Sequence, residues 1–224
     1  MKKHLLTLFA VFLSLAAAAQ SAPKFGVRGG INLAKFRTVN NDNNTSVLSD
    51  QLSRIMIGGY LDFRLGSGFS FQPGLELSGK GSKTIFVQRP NVNYQSKIRL
   101  TYLQIPLNFL YHVPAGIGKV YIGGGPYAAY GISGKSRIVG TANVGGDVAV
   151  NVDSERKLNF GSSPGDDYKF TDYGFNFLGG FQFKSGFNLG INYGLGLSDI
   201  IPRRSNSPVK TNNRVLGLSA GFFF

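Results

Sequence analysis

The sequence predicts an all-β fold, an eight-stranded antiparallel up-and-down barrel that crosses a membrane. Three observations lead to it: alternating large apolar and small polar residues, alternating long and short connections, and a last strand that ends on Phe224. The alternation is clearest in the hairpin 173–197, where a KSG turn joins two segments. A period of two puts one series on each face of a strand. Each segment has about ten residues, the length that a tilted strand needs to cross a bilayer.

The two faces of this hairpin differ in size as well as polarity. The polar series consists of Gly, Asn, Gln and Ser, and the apolar series is large and rich in Phe. A soluble barrel needs bulky apolar groups inside, whereas a membrane barrel needs them outside. We therefore expect the large residues to face lipid and the small polar residues to face a narrow lumen. A soluble, secreted, lipocalin-like barrel is the alternative fold.

Residues 1–19 have the pattern of a signal peptide. Lys2 and Lys3 precede an apolar run from Leu5 to Leu15, and small residues follow up to Gln20. The run is short for a membrane-spanning helix. We expect cleavage near Ala19/Gln20, export to the bacterial outer membrane, and a barrel domain over residues 20–224. The sequence contains no Cys, which excludes a lipoprotein anchor, disulfides and thiolate chemistry.

The composition suits a membrane barrel and a negatively charged partner. The chain has 31 Gly, 19 Phe and 10 Tyr, and its formal net charge is +13. Glycine relieves crowding in a small lumen, and aromatic residues gather at the membrane interfaces. A basic balance indicates either nucleic acid or anionic lipid. Because an exported barrel seldom meets nucleic acid, we expect outer-membrane lipid and lipopolysaccharide as partners, and no nucleic acid.

Eight segments alternate strongly enough to be predicted as strands. They lie at 24–36, 54–65, from 69 onward, 98–113, 119–132, on both arms of the hairpin 173–197, and at 213–224. Connections between them alternate between long and short, which is typical of outer-membrane barrels with short periplasmic turns and long extracellular loops. The longest connection, 133–170, contains a weaker hairpin from Val139 to Val152. We place that hairpin above the membrane, with ten spanning strands as the alternative.

Four charged residues fall on predicted inward faces: Arg28, Asp62, Arg64 and Glu76. Charges in a narrow lumen must pair, since lone ions there are expensive to desolvate. We expect a structural salt-bridge plug, with a gate or narrow polar path as the alternative. His112, the single histidine of the mature chain, falls at the periplasmic end, where we expect it in an interfacial aromatic belt. The sequence predicts no enzyme and no cofactor.

Two predicted extracellular loops concentrate positive charge, through Lys80, Lys83, Arg89 and Lys97 on one and through Arg203, Arg204 and Lys210 on the other. These cations form either a solvated rim or a contact with lipopolysaccharide phosphates, with which Arg and Lys pair. At the chain end, Phe222 and Phe224 complete one apolar face. A last strand closing on Phe resembles the signal read by the barrel-assembly machinery, which we expect as a partner.

Four segments together resemble the PorT-like outer-membrane β-barrel family of Bacteroidetes. They are TYLQIPLNFLYHVP at 101–114, GGGPYAAYG at 123–131, DYGFNFLGGFQF at 172–183 and INYGLGLSDI at 191–200. The resemblance covers nearly the whole mature chain and implies an outer-membrane barrel of about eight strands. The founding member is tied to protein secretion and gliding, so the resemblance implies a secretion-associated role as one option. No residue here maps onto that role.

The expected function is that of a structural or interaction protein of the cell envelope. Its extracellular loops would meet another envelope protein or lipopolysaccharide. Eight strands leave an interior just filled by side chains, so we expect a plugged lumen. A narrow small-solute channel is the alternative function. An enzyme with its site at the rim is a further, weaker alternative.

Overall fold

The computed structural model describes residues 22–40, 42, 45–87, 92–143, 149–202 and 208–224. The predicted signal peptide, Arg89, Arg203 and Arg204 lie outside these residues. Ten strands are formed: β1 (Lys24–Asn40), β2 (Thr45–Leu48), β3 (Leu52–Gly66), β4 (Phe69–Val87), β5 (Val92–Ala115), β6 (Gly118–Asn143), β7 (Ala149–Lys157), β8 (Thr171–Phe183), β9 (Phe187–Gly196) and β10 (Val209–Phe223). Among the described residues, no helix is long and apolar enough to cross a membrane.

Eight of these strands close a ring, which confirms the predicted antiparallel barrel. The order around the ring is β1, β3, β4, β5, β6, β8, β9 and β10, and β10 pairs with β1 to close it. Every neighbouring pair in the ring is antiparallel. The short strands β2 and β7 pair with the upper parts of β1 and β6, and so extend the sheet without entering the ring.

The predicted inward and outward faces are present in the barrel wall. On β5, Tyr102, Gln104 and Asn108 are buried, while Ile105 and Phe109 are exposed on the outer surface. Exposed apolar side chains on this strand extend from Leu103 to Val113, about 34 Å along a strand. At the usual tilt of about 45° this corresponds to a band about 24 Å tall, close to that of an outer-membrane barrel.

All the short turns lie at one end of the barrel. They connect β3 to β4, β5 to β6 and β8 to β9. The first is tight: Gly66, Ser67 and Gly68 all have positive φ, and a Cβ on Gly68 would press on the carbonyl oxygen of His112. The start of β1 and the end of β10 also lie at this end of the barrel, where Gly26 pairs with Phe223. Short turns in outer-membrane barrels face the periplasm.

At the opposite end, three strands continue beyond the ring and a fourth joins them. The upper parts of β4, β5 and β6 pair with one another and with β7 to form a four-stranded sheet, which we call the extension. The prediction that Lys80, Lys83 and Lys97 belong to a loop is therefore wrong, because these residues lie on β4 and β5. Thr84 still pairs with Ser96 and Ile85 with Gln95, so the ladder of β4 and β5 continues through residues whose polarity suggested a connection. The predicted hairpin at 139–152 belongs to this extension, above the ring.

The upper mouth of the barrel is filled by an apolar cluster. It contains Phe36, Leu100, Tyr102, Tyr127, Ala129, Leu158, Tyr168 and Ile200, with Ile98, Phe160 and Ile201 packed against it. Part of the cluster comes from the segment 158–170, which backbone hydrogen bonds hold at Leu158 N to Gly134 O (2.9 Å) and Gly131 N to Phe170 O (2.6 Å). This segment covers the mouth, and its side chains Leu158, Phe160 and Tyr168 pack into the apolar cluster there.

Candidate functional site: the barrel interior and its two rims

In the lower lumen, neutral side chains connect the predicted charges. Arg28 donates from Nη2 to Gln72 Oε1 at 3.0 Å, and Gln72 Nε2 donates to Asp62 Oδ1 at 3.5 Å. Within the described residues no ion pair joins Arg28, Asp62, Arg64 and Glu76 to one another. The expected salt-bridge plug is therefore an amide-bridged network at this level, and Arg64 lies exposed at the mouth instead.

Glu76 is held at mid-height by neutral donors. Gln104 Nε2 donates to Glu76 Oε1 at 2.7 Å, and the hydroxyl of Tyr60 donates to Glu76 Oε2. The guanidinium carbon of Arg28 lies 4.3 Å from the centre of the Tyr60 ring, a cation–π contact. Tyr60 thus links the arginine to the carboxylate without an ion pair.

The strongest polar cluster lies in the upper lumen and was not predicted. Lys80 Nζ donates to Asp172 Oδ2 at 2.9 Å, and both side chains are almost completely buried. Asp172 also accepts from the Ser198 hydroxyl at 2.7 Å and from Asn213 Nδ2 at 2.8 Å. Lys80 Nζ lies 4.2 Å from the centre of the Tyr127 ring. Besides each other, the two charges therefore have three hydrogen-bonding and cation–π partners, which compensate for taking them out of water.

The prediction that Lys80 belongs to an extracellular loop is wrong. Lys80 is 2% exposed, because β4 does not end where the polar residues begin and its inward series continues through Ser78. Asp172 was missed for a related reason. It precedes Gly174 and Asn176 in the inward series of β8, so extending the alternation two residues backward would have placed it in the lumen.

His112 lies on the inner wall rather than in an outer aromatic belt. Its Nε2 is 2.9 Å from the hydroxyl oxygen of Ser70, and the two residues line a cleft of about 210 Å³ at the lower mouth. Arg64, Lys119 and Gln182 line the same cleft. A serine beside an imidazole is one arrangement that nucleophilic catalysis uses, but Ser70 is only 1% exposed. In the described part of the chain, no group of three or more His, Asp or Glu side chains is placed to hold a metal ion.

The outward face of the extension carries two rows of positive charge. In one row Lys83 lies opposite Lys97, Lys97 opposite Arg137, and Arg137 opposite Glu155. In the neighbouring row Gly81, Arg99, Lys135 and Lys157 lie opposite one another in turn. Directly opposite residues share a face of the sheet. Of the predicted rim cations, Lys83 and Lys97 are therefore brought together here, while the exposed Lys210 lies on β10.

Carboxylates of β7 neutralise part of this surface, which we call the basic face. Arg137 donates to Asp153 at 2.6 Å and Lys135 to Glu155 at 2.8 Å. The hydrogen bond from Arg137 is the main reason that the pKa of Asp153 lies below its usual value. Lys83 and Lys97 have no carboxylate within 4.0 Å among the described residues.

The basic face lies just above the apolar band. Leu77, Leu103 and Tyr130 lie opposite one another and form an exposed apolar row on the outer wall. From Leu77 strand β4 extends about 13 Å along its length to Gly81 and about 20 Å to Lys83, which at the usual tilt of about 45° corresponds to about 9 and 14 Å in height. The inner face of the same sheet is buried through Leu100 and Ser82. The cations therefore lie at the height of lipid headgroups when the apolar band sits in hydrocarbon.

Several solved outer-membrane proteins resemble the chain in fold. The structure of Ail, the attachment invasion locus protein of Yersinia pestis, covers 90% of this chain and 100% of its own at 11% identity and a TM-score of 0.36. OprG from Pseudomonas aeruginosa covers 92% and 98% at 13% identity and a TM-score of 0.43. Neisserial surface protein A covers 89% and 95% at 16% identity and a TM-score of 0.37. No curated protein matches the chain.

The sequence itself matches a family profile over most of its length. Residues 18–202 match the outer membrane protein beta-barrel domain, and this span includes all of β1 to β9. The match supports a location in the bacterial outer membrane, in agreement with the closed ring and the exposed apolar band. The chain therefore belongs to the outer membrane protein beta-barrel domain family.

Proposed function

We propose that this protein is an interaction barrel of the cell envelope, whose basic face binds lipopolysaccharide phosphates above the membrane. The observation that carries the proposal is the row in which Lys83, Lys97 and Arg137 lie directly opposite one another. Like charges opposite each other destabilise a sheet. A phosphate between them removes that repulsion and gains charge-assisted hydrogen bonds.

The height of the basic face supports lipopolysaccharide over a soluble anion. The cations begin about 13 Å along the strand from the row of Leu77, Leu103 and Tyr130, on the outward side of the sheet. Phosphates of the outer leaflet occupy this zone next to the barrel wall. A second envelope protein is the alternative partner for the same face. The resemblance to PorT-like proteins adds a secretion-associated role as the process that such a partner would serve.

The test is a lipopolysaccharide titration of the purified barrel, followed by native mass spectrometry. We expect the double variant Lys83→Gln/Lys97→Gln to bind lipopolysaccharide roughly 25-fold more weakly, since each cation near an anionic lipid surface contributes a factor of about five. The matched control is Arg64→Gln/Lys119→Gln, which removes the same charge at the opposite end of the barrel. Equal affinities of the two variants would refute the proposal.

A narrow channel is the second candidate, because charged residues line the lumen. Side chains fill the interior at several heights: the Arg28–Gln72–Asp62 network below, Glu76 in the middle, and the Lys80–Asp172 pair with the apolar cluster above. This filling favours a non-conducting barrel. We expect no steady conductance in planar lipid bilayers, and a steady ion current from the wild-type barrel would favour the channel instead.

A further inference from the structure

The periplasmic end of the barrel carries positive charge without the neutralising carboxylates of the other end. Lys24, Arg64, Lys119 and Lys184 all lie at this end, around the short turns and the first residue of β1. None of them forms an ion pair with a side chain within the described residues. At the extracellular end, in contrast, Asp153, Glu155, Asp167 and Asp199 each have a cation within 4.0 Å.

These four cations line two adjoining clefts. The smaller, of about 210 Å³, contains Arg64 and Lys119 beside Ser70, His112 and Gln182. The larger, of about 670 Å³, shares Arg64, Lys119 and Gln182 and adds Lys24, Lys184 and the rings of Phe183 and Phe222–Phe224. Asp62 is the only side-chain carboxylate lining either cleft in the described residues, and its Oδ1 already accepts from Gln72. The clefts therefore present cations and aromatic rings together.

An apolar notch lies on the outer wall beside the same end. It has a volume of about 540 Å³ and is lined by Phe25, Leu61, Phe63, Pro73 and Leu75, with Gly59 and Gly74 in its floor. Gly59 leaves room on this outer side because it carries no side chain, whereas a Cβ on Gly74 would point toward the Tyr60 ring in the lumen. Phe25 follows Lys24 in the chain and Phe63 precedes Arg64, so the notch and the cationic clefts lie at the same end of the barrel, on the outer and inner sides of its wall. The notch faces lipid, since Phe25, Leu61 and Leu75 belong to the exposed apolar band.

We propose that this end binds an anionic phospholipid of the inner leaflet, with its phosphate in the cationic clefts and an acyl chain in the notch. Arg and Lys side chains pair with phosphate oxygens, and a juxtaposed apolar groove distinguishes a lipid from a free anion. Aromatic rings at the membrane interface suit the headgroup region. This site is independent of lipopolysaccharide binding, since it lies at the other end of the barrel.

Native mass spectrometry of the detergent-purified barrel tests this site. The probes are phosphatidylglycerol, phosphatidylcholine with the same acyl chains, and inorganic phosphate. We expect phosphatidylglycerol to bind most tightly, and Arg64→Gln/Lys119→Gln to weaken its binding roughly 25-fold, about fivefold for each charge. Lys83→Gln/Lys97→Gln is the matched control and should bind phosphatidylglycerol as the wild type does. Heat-modifiable gel mobility verifies that each variant is folded.

Three results would overturn the inference. Equal affinity for phosphatidylcholine would show that charge does not select the lipid. Equal affinity for inorganic phosphate would assign the clefts to a free anion rather than to a lipid. An unchanged affinity of a folded Arg64→Gln/Lys119→Gln variant for phosphatidylglycerol would show that these two cations do not bind the lipid. None of these results contradicts the lipopolysaccharide proposal, because that proposal is tested by the Lys83→Gln/Lys97→Gln variant at the other end of the barrel.

Discussion

The buried pair of Lys80 and Asp172 gives the sharpest prediction about stability. Asp172→Asn removes one charge but keeps the size of the side chain, so Lys80 stays buried with an uncompensated positive charge. Breaking a buried ion pair by removing one partner costs about 3–5 kcal/mol. Asn can still accept a hydrogen bond from Ser198, which lies 2.7 Å from Asp172. We therefore expect a loss of about 3 kcal/mol in the free energy of unfolding, at the low end of that range.

Two further variants separate charge burial from other effects. Lys80→Met/Asp172→Asn removes both charges and should recover most of the loss, because a neutral pair leaves no buried ion. Asp153→Asn breaks a solvent-exposed pair, with side chains of Arg137 and Asp153 that are 41% and 55% exposed. We expect no measurable change in stability from that control.

The assay is equilibrium urea unfolding in lipid vesicles, approached from both the folded and the unfolded side. Far-UV circular dichroism is the probe, since the chain contains no Trp. An Asp172→Asn variant as stable as Asp153→Asn would refute the reasoning. So would a double variant no more stable than the single one, since the loss could then not come from an unpaired Lys80.

Three other predictions concern the strand ends, the lumen and the segment 158–170. Deleting Phe224, which stacks on Phe25 at 6.0 Å, should lower the amount of inserted protein in cells far more than Phe181→Ala, while both fold comparably in detergent; equal cellular levels on immunoblots would argue against an assembly signal in Phe222 and Phe224. Gly180→Ala should destabilise the barrel by about 1–3 kcal/mol in urea unfolding, because a methyl group there overlaps the Tyr121 hydroxyl and the Leu189 carbonyl. Gly179→Ala should be neutral, since its nearest atom is the Tyr121 carbonyl oxygen at 3.7 Å; similar losses in both would contradict this packing. The hydrogen bond from Arg156 holds the pKa of Asp167 below its usual value, so its contribution to stability is present at neutral pH and is lost as pH falls through that lowered pKa; an NMR titration in which Arg156→Gln leaves the Asp167 pKa unchanged would rule out this cause.

The barrel could be predicted from its strands, because large apolar residues alternate with small polar ones and so indicate which face of each strand meets lipid. The ring of eight, the short turns and the inward positions of Arg28, Asp62 and Glu76 all follow from that pattern. Strand ends were harder, since β4 continues through Lys80 and Lys83 with a polarity that is also typical of loops. Outside hydrocarbon an exposed sheet no longer needs apolar residues on its outer face, so the pattern disappears although the ladder continues.

The candidate sites depend on the register between strands, which the alternation of residues along each strand does not predict. Arg99, Lys135, Arg137 and Lys157 are scattered over three strands and meet Lys83 and Lys97 only through the pairing of β4 to β7. Likewise, Lys80 and Asp172 lie far apart in the chain and meet across the lumen. The expected ion pairs of Arg28 and Glu76 do not form, because Gln72, Gln104 and Tyr60 supply neutral partners. Composition alone does not reveal these partners.

The most direct test of the account measures which surfaces meet lipid. The chain contains no Cys, so single cysteines can carry spin labels without background. In vesicles, labels at Ile105, Ile191 and Leu218, exposed in the apolar band, should relax with oxygen from the bilayer and not with a water-soluble nickel complex. Labels at Lys97 and Glu155 should show the reverse, because the extension stands above the membrane. Access of the nickel complex to Ile105, Ile191 and Leu218 would contradict the membrane barrel.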